Sequence, residues 1–287
     1  MNRKLSTLFG PARLLDGGAV FGALPRQCWV DWLRPDDHNR VRLESRALLV
    51  QEAGRNILVL AGSDALLAPP SRTCRCQPYR KGLLDGLQAL GLGERDIQGV
   101  VLTHLHAFLS AELQAAVHDG DTPRLLFPAA RYFVGRRHWM RACHPHPRDR
   151  ALFVPQLLDH LEESGRLELI EGRQCADFGT DWHFHVSDGY TPGQLLPEIA
   201  MPGGAVVFAG DLVPGIHWLR LDITSSFDRN PEYLVDEKEQ LLDHLVASGG
   251  RLVLSRDPGT AMIRVLRDRQ SRYQPYDQHP AIVRMDC

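Results

Sequence analysis

A short apolar run that leads directly into two histidines constrains the fold of this chain more than any other feature. The stretch Val100-Val-Leu-Thr-His104-Leu-His106 begins as a fully apolar segment, which is typical of a buried strand. A strand end is a rigid support, and imidazoles two residues apart in the following loop can face one point. Neutral imidazole is a good ligand for zinc, iron and similar ions. The run therefore predicts a chemical site at the end of a buried strand, although His-x-His alone is a weak signal.

Strand and helix signals alternate around this run. Residues 45–60 predict a hairpin that turns at Ala53-Gly54, and residues 81–90 predict a helix that ends at Gly91 and Gly93. Strands in both halves with helices between them favour an α/β sandwich over a doubly wound sheet. The remaining predicted strands are 131–134, 167–170, 183–186, 205–209 and 251–254, and the remaining predicted helices are 154–164 and 231–248.

Composition excludes several classes of function. The 287 residues carry a formal net charge of −2 with no block of like charge, so neither nucleic acid nor an anionic membrane surface is an expected partner. No run approaches the roughly 20 apolar residues of a membrane helix. The six cysteines show no framework spacing, which favours reduced thiols and a cytoplasmic protein. The expected partner is a small molecule.

Several motifs, in order along the chain, resemble the lactonase-like branch of the metallo-β-lactamase superfamily. Residues 90–106 are similar to the approach to its Thr-His-x-His-x-Asp-His motif. The resemblance covers about residues 17–258, and the segment after about 265 is predicted to be an irregular extension. The resemblance implies a single domain over 1–287. The implied fold is an αββα sandwich of two mixed sheets with helices outside. The other matching stretches are Asp16 to Pro25 with Trp29, Asp37 to Arg40, Phe127 to Val134 with Trp139, Gly189-Tyr-Thr-Pro-Gly193, Phe208-Ala-Gly-Asp211-Leu-Val-Pro214 and Ser255-Arg-Asp257-Pro258.

The resemblance also implies seven side chains that hold two metal ions around a hydrolytic hydroxide. His104, His106 and the bridging Asp211 are kept. The other four positions fall on Phe108, Leu109, Tyr190 and Arg256.

These replacements change the charge of the expected site. Apolar side chains cannot bind a cation, and a guanidinium at Arg256 would repel a second ion while being well shaped to pair with Asp211. We therefore interpret the chain as a degenerate member that lacks the dinuclear centre and needs no metal cofactor. The predicted site residues are His104, His106, Tyr190, Asp211 and Arg256.

The favoured prediction is a pocket that binds or processes a small acyl- or lactone-like molecule, and whether the chain is an enzyme stays open. One alternative is an active hydrolase or iron-dependent oxidoreductase with a single iron or zinc ion held by His104, His106 and Asp211, joined by Tyr190. Another is metal-free catalysis, with His104 or His106 as general base and Arg256 stabilising an oxyanion. The long N-terminal segment of the lactonase-like branch is compatible with a homodimer.

Two further groups of potential ligands are interpreted as ordinary surface residues. His183 and His185 alternate on a predicted strand and share one of its faces, which is commoner for surface imidazoles on an edge strand than for a metal pair. Cys143-His144-Pro-His146 places ligand types close together in a loop. The tryptophans at 29, 139 and 218 are expected in the core.

Overall fold

Two six-stranded mixed sheets form the centre of the computed structural model, which describes residues 3–10, 12–63, 67–68, 78–107 and 124–286. In the first sheet the two pairings at one side are antiparallel and the other three are parallel. Its strands, in order across the sheet, are β1 (Lys4–Phe9), β4 (Arg46–Glu52), β5 (Arg55–Leu60), β7 (Gly99–Leu102), β9 (Arg131–Gly135) and β10 (Leu167–Ile170).

The second sheet is antiparallel except for one central parallel pair. Its strands follow chain order across the sheet: β11 (Trp182–Ser187), β12 (Gln194–Ile199), β13 (Val206–Phe208), β14 (Arg251–Val253), β15 (Met262–Arg267) and β16 (Tyr273–His279). The parallel pair is β13 with β14. Parallel neighbours end at the same edge of a sheet, so the segments that follow these two strands meet.

Shorter elements surround the two sheets. A two-stranded sheet joins β2 (Arg13–Asp16) to β3 (Arg40–Leu43), and another joins β6 (Leu67–Ala68) to β8 (Arg124–Leu125). The α-helices of the described ranges are α1 (Gly17–Phe21), α2 (Arg26–Trp29), α3 (Pro78–Ala89), α4 (Arg136–Cys143), α5 (Pro155–Glu163) and α6 (Pro231–Ser248).

Apolar side chains separate the molecule into layers. One cluster lies between the sheets and includes Phe133, Trp182 and Phe208. A second cluster packs helices onto the outer face of the first sheet, and a third packs α6 and the tryptophans Trp29 and Trp218 against the second sheet. This arrangement confirms the predicted αββα sandwich. Each large sheet therefore packs one face against the other sheet and the opposite face against helices.

The segment after residue 265 is the main correction to the sequence-based fold. It completes β15, forms β16 and then pairs with β1, where the Thr7 and Leu5 amides donate to the carbonyls of Ile282 and Met285 at 2.9 Å each. The prediction of an irregular segment is wrong because β16 is an edge strand of mostly polar, half-buried or exposed residues, so it lacks the apolar alternation by which strands are recognised.

No helix in the described ranges combines the length and apolar character that crossing a bilayer requires. Three of the six cysteines, Cys28, Cys143 and Cys175, are free thiols, while Cys74, Cys76 and Cys287 lie outside the described residues.

Candidate active-site pocket

The His104 loop leaves the first sheet directly after β7 and is held on both sides by backbone hydrogen bonds. The Thr103 amide donates to the carbonyl of Leu60 in β5 at 3.0 Å, and the Thr103 carbonyl accepts from Leu195 in β12 at 2.9 Å. Thr103 thus connects the two sheets. Both imidazoles that follow, His104 and His106, are buried. The predicted strand-end platform is confirmed.

A third histidine that the sequence did not predict, His138 in α4, fixes this loop. Its Nε2 accepts a hydrogen bond from the Leu105 amide at 2.8 Å. Its Nδ1 must then carry the proton, and it lies 3.0 Å from the Pro192 carbonyl, to which it donates. Burial, followed by the proximity of His104, lowers the pKa of His138 to about 3. His138 is therefore a neutral tie between two site loops. The helix that carries it was not predicted, although Trp139 beside it was part of the resemblance.

Asp211 and Arg256 form the charged centre of the pocket. They follow the parallel strands β13 and β14 and meet at the shared edge of the second sheet. Arg256 Nε donates to Asp211 Oδ1 at 2.8 Å, and Arg256 Nη2 donates to Asp211 Oδ2 at 3.1 Å. Nη2 also donates to the Ala61 carbonyl at 2.9 Å. Both carboxylate oxygens are therefore engaged by one guanidinium, in the bidentate geometry that favours arginine.

His104 lies against this ion pair on its other side. Its Nδ1 is 2.8 Å from Thr103 Oγ1, and its Nε2 is 3.2 Å from Asp211 Oδ2, although the ring nitrogen is not directed well enough to make a hydrogen bond. Burial lowers the pKa of His104 despite the nearby carboxylate. Burial would raise the pKa of Asp211, but the charge of Arg256 and the contact with His104 hold it well below its usual value. At neutral pH the charges of Asp211 and Arg256 cancel and His104 is neutral.

The imidazole of His106 is buried in the site without a hydrogen-bond partner among the described residues. It is 1% exposed, and within the described ranges neither of its ring nitrogens has a hydrogen-bond partner. Its ring contacts are aromatic, with Phe153 at 4.9 Å and Tyr190 at 5.4 Å between centroids. Burial and the neighbouring His104 and His138 lower its pKa well below the usual value. Leaving such a group unsatisfied costs about 1–3 kcal/mol.

Tyr190 is held over the histidines by a loop that requires two glycines. A Cβ on Gly189 would lie 2.4 Å from the Leu234 Cα atom of α6, and a Cβ on Gly193, whose φ is 77°, would lie 2.5 Å from the His138 nitrogen. The Tyr190 ring centre is 5.1 Å from that of His104. Burial and the charge of Asp211 raise the pKa of the Tyr190 hydroxyl well above its usual value, so Tyr190 is a neutral phenol.

Glu237 of α6 ties the same loop to the helix layer. Its carboxylate accepts from Ser187 Oγ at 2.6 Å, from the Asp188 amide at 2.8 Å and from the Gly189 amide at 3.0 Å. The position of Tyr190 therefore depends on α6.

A cavity of about 60 Å³ opens beside the ion pair. Its lining includes Arg13 and Asp228, two charged residues that the sequence did not predict. Burial raises the pKa of Asp228 to about 6, against two hydrogen bonds from Ser225. The remaining lining is mostly apolar and comes from Leu15, Val20, Leu43, Tyr190, Leu212, Pro214, Trp218, Ser225, Phe227 and Leu234.

The five predicted site residues meet in this one region: His104 and His106 after β7, Tyr190 after β11, Asp211 after β13 and Arg256 after β14. The replacement of metal ligands by Phe108 and Leu109 stays a prediction, because both lie outside the described residues.

The described residues do not fit the ion sites that the resemblance implies. Asp211 would have to bridge two ions, yet both its oxygens pair with Arg256. For a single ion, the ligand atoms of His104, His106 and Asp211 would have to approach one another closely. Among the described residues, these three do not form a group whose ligand atoms all lie within 4.8 Å of one another. We therefore assign no chemical step to a metal ion in this pocket.

Searches against protein-family profiles and curated protein sequences found no match. Solved structures do match. A probable metal-dependent hydrolase from Staphylococcus aureus superposes with a TM-score of 0.77 at 20% sequence identity, covering 96% of this chain and 98% of the other. The chain has the metallo-β-lactamase fold.

Two other solved structures are also similar to this chain. AidC, a dizinc quorum-quenching lactonase in complex with a hexanoyl-homoserine product, has a TM-score of 0.71 at 16% identity over 96% of this chain and 94% of its own. The hydrolase AbOPH of the β-lactamase superfamily has a TM-score of 0.69 at 18% identity over 97% and 95%. The metallo-β-lactamase fold and its lactonase-like structural relatives confirm the resemblance seen in the sequence. At these identities the likeness establishes the fold alone.

Proposed function

We propose that this metallo-β-lactamase-fold protein binds a small acyl- or lactone-like molecule in the pocket beside Arg256, and that the Asp211–Arg256 ion pair replaces the dinuclear centre. The observation that carries the proposal is the donation from Arg256 to both oxygens of Asp211. The guanidinium takes up a lone pair on each oxygen of the carboxylate that would bridge two ions, and its buried positive charge opposes the entry of cations.

The pocket supports a ligand with an apolar tail and a polar head. Leu15, Val20 and Leu43 supply an apolar wall, and the guanidinium groups of Arg13 and Arg256 line the same pocket. A carbonyl or lactone oxygen is a suitable acceptor for guanidinium groups, and an acyl chain suits the wall. Structural neighbours were solved with N-hexanoyl- and N-decanoyl-L-homoserine bound, so these compounds are reasonable probes here.

The first experiment measures zinc content at the central pocket alone. The protein carries a second group of potential ligands on its surface, so the measurement uses the His185→Ala/His244→Ala variant, purified without chelator and dialysed against zinc. We expect far less than one ion per chain. One or more tightly held ions, lost on further substitution of His104 and Asp211, would show that a metal centre exists and would overturn the proposal.

The second experiment measures binding of N-hexanoyl-L-homoserine lactone by calorimetry and follows its integrity by mass spectrometry. We expect binding with the lactone left intact. Leu15 lines the pocket and is partly exposed, so Leu15→Trp should fill it and abolish binding. Leu14 is 52% exposed on the same strand, so Leu14→Trp is the matched control and should bind like the wild type. If neither the lactone nor the decanoyl compound binds, the proposed ligand class is wrong.

Among the described residues His106 has no hydrogen-bond partner, and this favours a second candidate, hydrolysis without a metal. In that case His106 would take a proton from water while Arg256 stabilises the oxyanion. Its strongly lowered pKa makes His106 a weak base, which is why binding is the preferred function. His106→Ala separates the two: any turnover of the lactone would disappear under the second candidate, whereas binding without turnover persists under the first.

A further inference from the structure

Two histidines and one glutamate meet on the outer face of the second sheet, away from the pocket. His185 projects from β11, Glu198 from β12 and His244 from the last turns of α6. Residues of alternate strand positions share a face, so His185 lies on the face opposite to the buried Trp182 and Phe184. The helix brings the third side chain to the same point from a part of the chain 46 residues beyond Glu198.

The three side chains converge on a single oxygen atom. His185 Nε2 lies 2.5 Å and His244 Nε2 lies 3.0 Å from Glu198 Oε2. The two imidazole centres are 5.4 Å apart, and the ligand atoms of all three side chains lie within 4.8 Å of one another. This is the one group of three or more histidine, cysteine, aspartate or glutamate side chains with that proximity in the described ranges.

From this convergence we propose that His185, Glu198 and His244 form a binding site for one divalent transition-metal ion, with zinc as the preferred physiological ion. Two imidazole nitrogens and a carboxylate oxygen are ligands that zinc commonly takes, and water completes the tetrahedron. Ligand atoms around tetrahedral zinc lie about 3.3 Å apart at bond lengths near 2.0–2.1 Å. Small side-chain rotations would therefore open the contacts of 2.5 and 3.0 Å far enough to admit the ion.

The site is reachable from solvent, yet its ligands are partly fixed. The side chains of His185, Glu198 and His244 are 23%, 16% and 42% exposed. His183 lies directly across from Glu198 in the β11–β12 register, and its ring centre is 5.3 Å from that of His185. His183 is therefore a candidate fourth ligand in place of the water.

An ion at this position would cross-link three elements. It would join α6 to both strands at the edge of the second sheet, because β11 is the last strand on that side. Glu237 lies two turns before His244 in α6 and holds the loop that carries Tyr190. We expect zinc to act as a structural clamp that stabilises the folded state by mass action, since the unfolded chain lacks the preformed ligand arrangement.

The test titrates ZnCl₂ into the full chain by calorimetry and records the melting temperature with and without zinc. We expect about one ion per chain and a higher melting temperature with zinc. His244→Ala and Glu198→Gln should each weaken zinc binding by at least about tenfold, by analogy with the effect of losing even an outer-shell partner. His279→Ala is the matched control. His279 also pairs with a carboxylate, that of Asp277 at 3.1 Å, but within the described ranges no second imidazole joins them to form a ligand group. His279→Ala should keep wild-type affinity.

Cobalt provides a second readout that does not depend on stability. Co²⁺ in a site with two imidazoles should give a visible absorption band that zinc displaces, and His185→Ala should abolish the band while circular dichroism shows a folded protein. The absence of saturable zinc binding would overturn the proposal. So would zinc binding that persists in His244→Ala and Glu198→Gln but disappears in His104→Ala, which would assign the ion to the pocket.

Discussion

The pocket and the surface cluster contain the same ligand types, two histidines and one carboxylate, in opposite circumstances. In the pocket, Arg256 occupies both oxygens of Asp211. On the surface, two imidazoles face one oxygen of Glu198. The pocket is the region that matches the sequence motif of a metal hydrolase, and the surface cluster matches no such motif.

The difference shows that residue types do not define a metal site until the partner of the carboxylate is known. Desolvation makes the pocket carboxylate depend on a cation, and a guanidinium built into the chain supplies that charge permanently. The carboxylate of Glu198 is only partly buried, and a cation from solvent can reach it.

Two substitutions should convert the pocket into a zinc site and so remove the difference between the pocket and the surface cluster. In the His185→Ala/His244→Ala background, adding Tyr190→His and Arg256→Ala should free Asp211 and provide a third imidazole beside His104 and His106. We expect a gain from no bound zinc to about one ion per chain, measured by elemental analysis after dialysis. Tyr190→His alone in the same background is the control and should stay without zinc, because Arg256 still occupies both oxygens of Asp211; equal zinc in both variants would refute the role given to Arg256.

Removing the guanidinium alone should strongly destabilise the fold. Arg256→Met leaves the buried charge of Asp211 without compensation, and such losses cost about 3–5 kcal/mol. Urea unfolding measures the change. Adding Asp211→Asn should recover most of the loss, because it removes the uncompensated charge. A double variant no more stable than Arg256→Met would contradict the ion-pair interpretation.

Acid should destabilise the pocket through His138. A histidine with a pKa of about 3 in the fold and about 6.5 when unfolded contributes stability that is complete above pH 6.5 and lost as the pH falls toward 3. Between pH 7 and pH 5 this single group accounts for about 2 kcal/mol. The unfolding free energy of His138→Gln should therefore fall by that much less than the wild type over this range. Parallel pH profiles for the two proteins would contradict the prediction.

Without a bound ion, the surface cluster should contribute little to the unfolding free energy. In EDTA, Glu198→Gln should change the unfolding free energy by no more than about 1 kcal/mol, as is usual for partly exposed ion pairs. In zinc, the difference from wild type should widen. A large loss in EDTA would indicate that the three side chains act as a hydrogen-bonded network rather than as a metal site.

Local sequence was sufficient for much of the fold and of the pocket. A strand end is a local feature, so the apolar run before His104 predicted a site there, whereas Asp211 and Arg256 were identified through the resemblance to the family motifs. The partners that distant segments supply could not be identified from local sequence. His138 and Arg13 lie in elements that the apolar pattern did not predict, and His185 was interpreted as a surface imidazole because His244 joins it only through tertiary packing. The edge strand β16 lacked the apolar alternation that reveals buried strands.

The small sheet of β2 and β3 supplies one wall of the pocket through Arg13, Leu15 and Leu43. Its strands hydrogen-bond to each other, so substitutions in its side chains leave the ladders of the two large sheets untouched. Ligand preference can therefore diverge at this wall while the scaffold is conserved. A library randomised at Leu15 and Leu43 would be the economical route to retarget the protein toward longer or bulkier compounds.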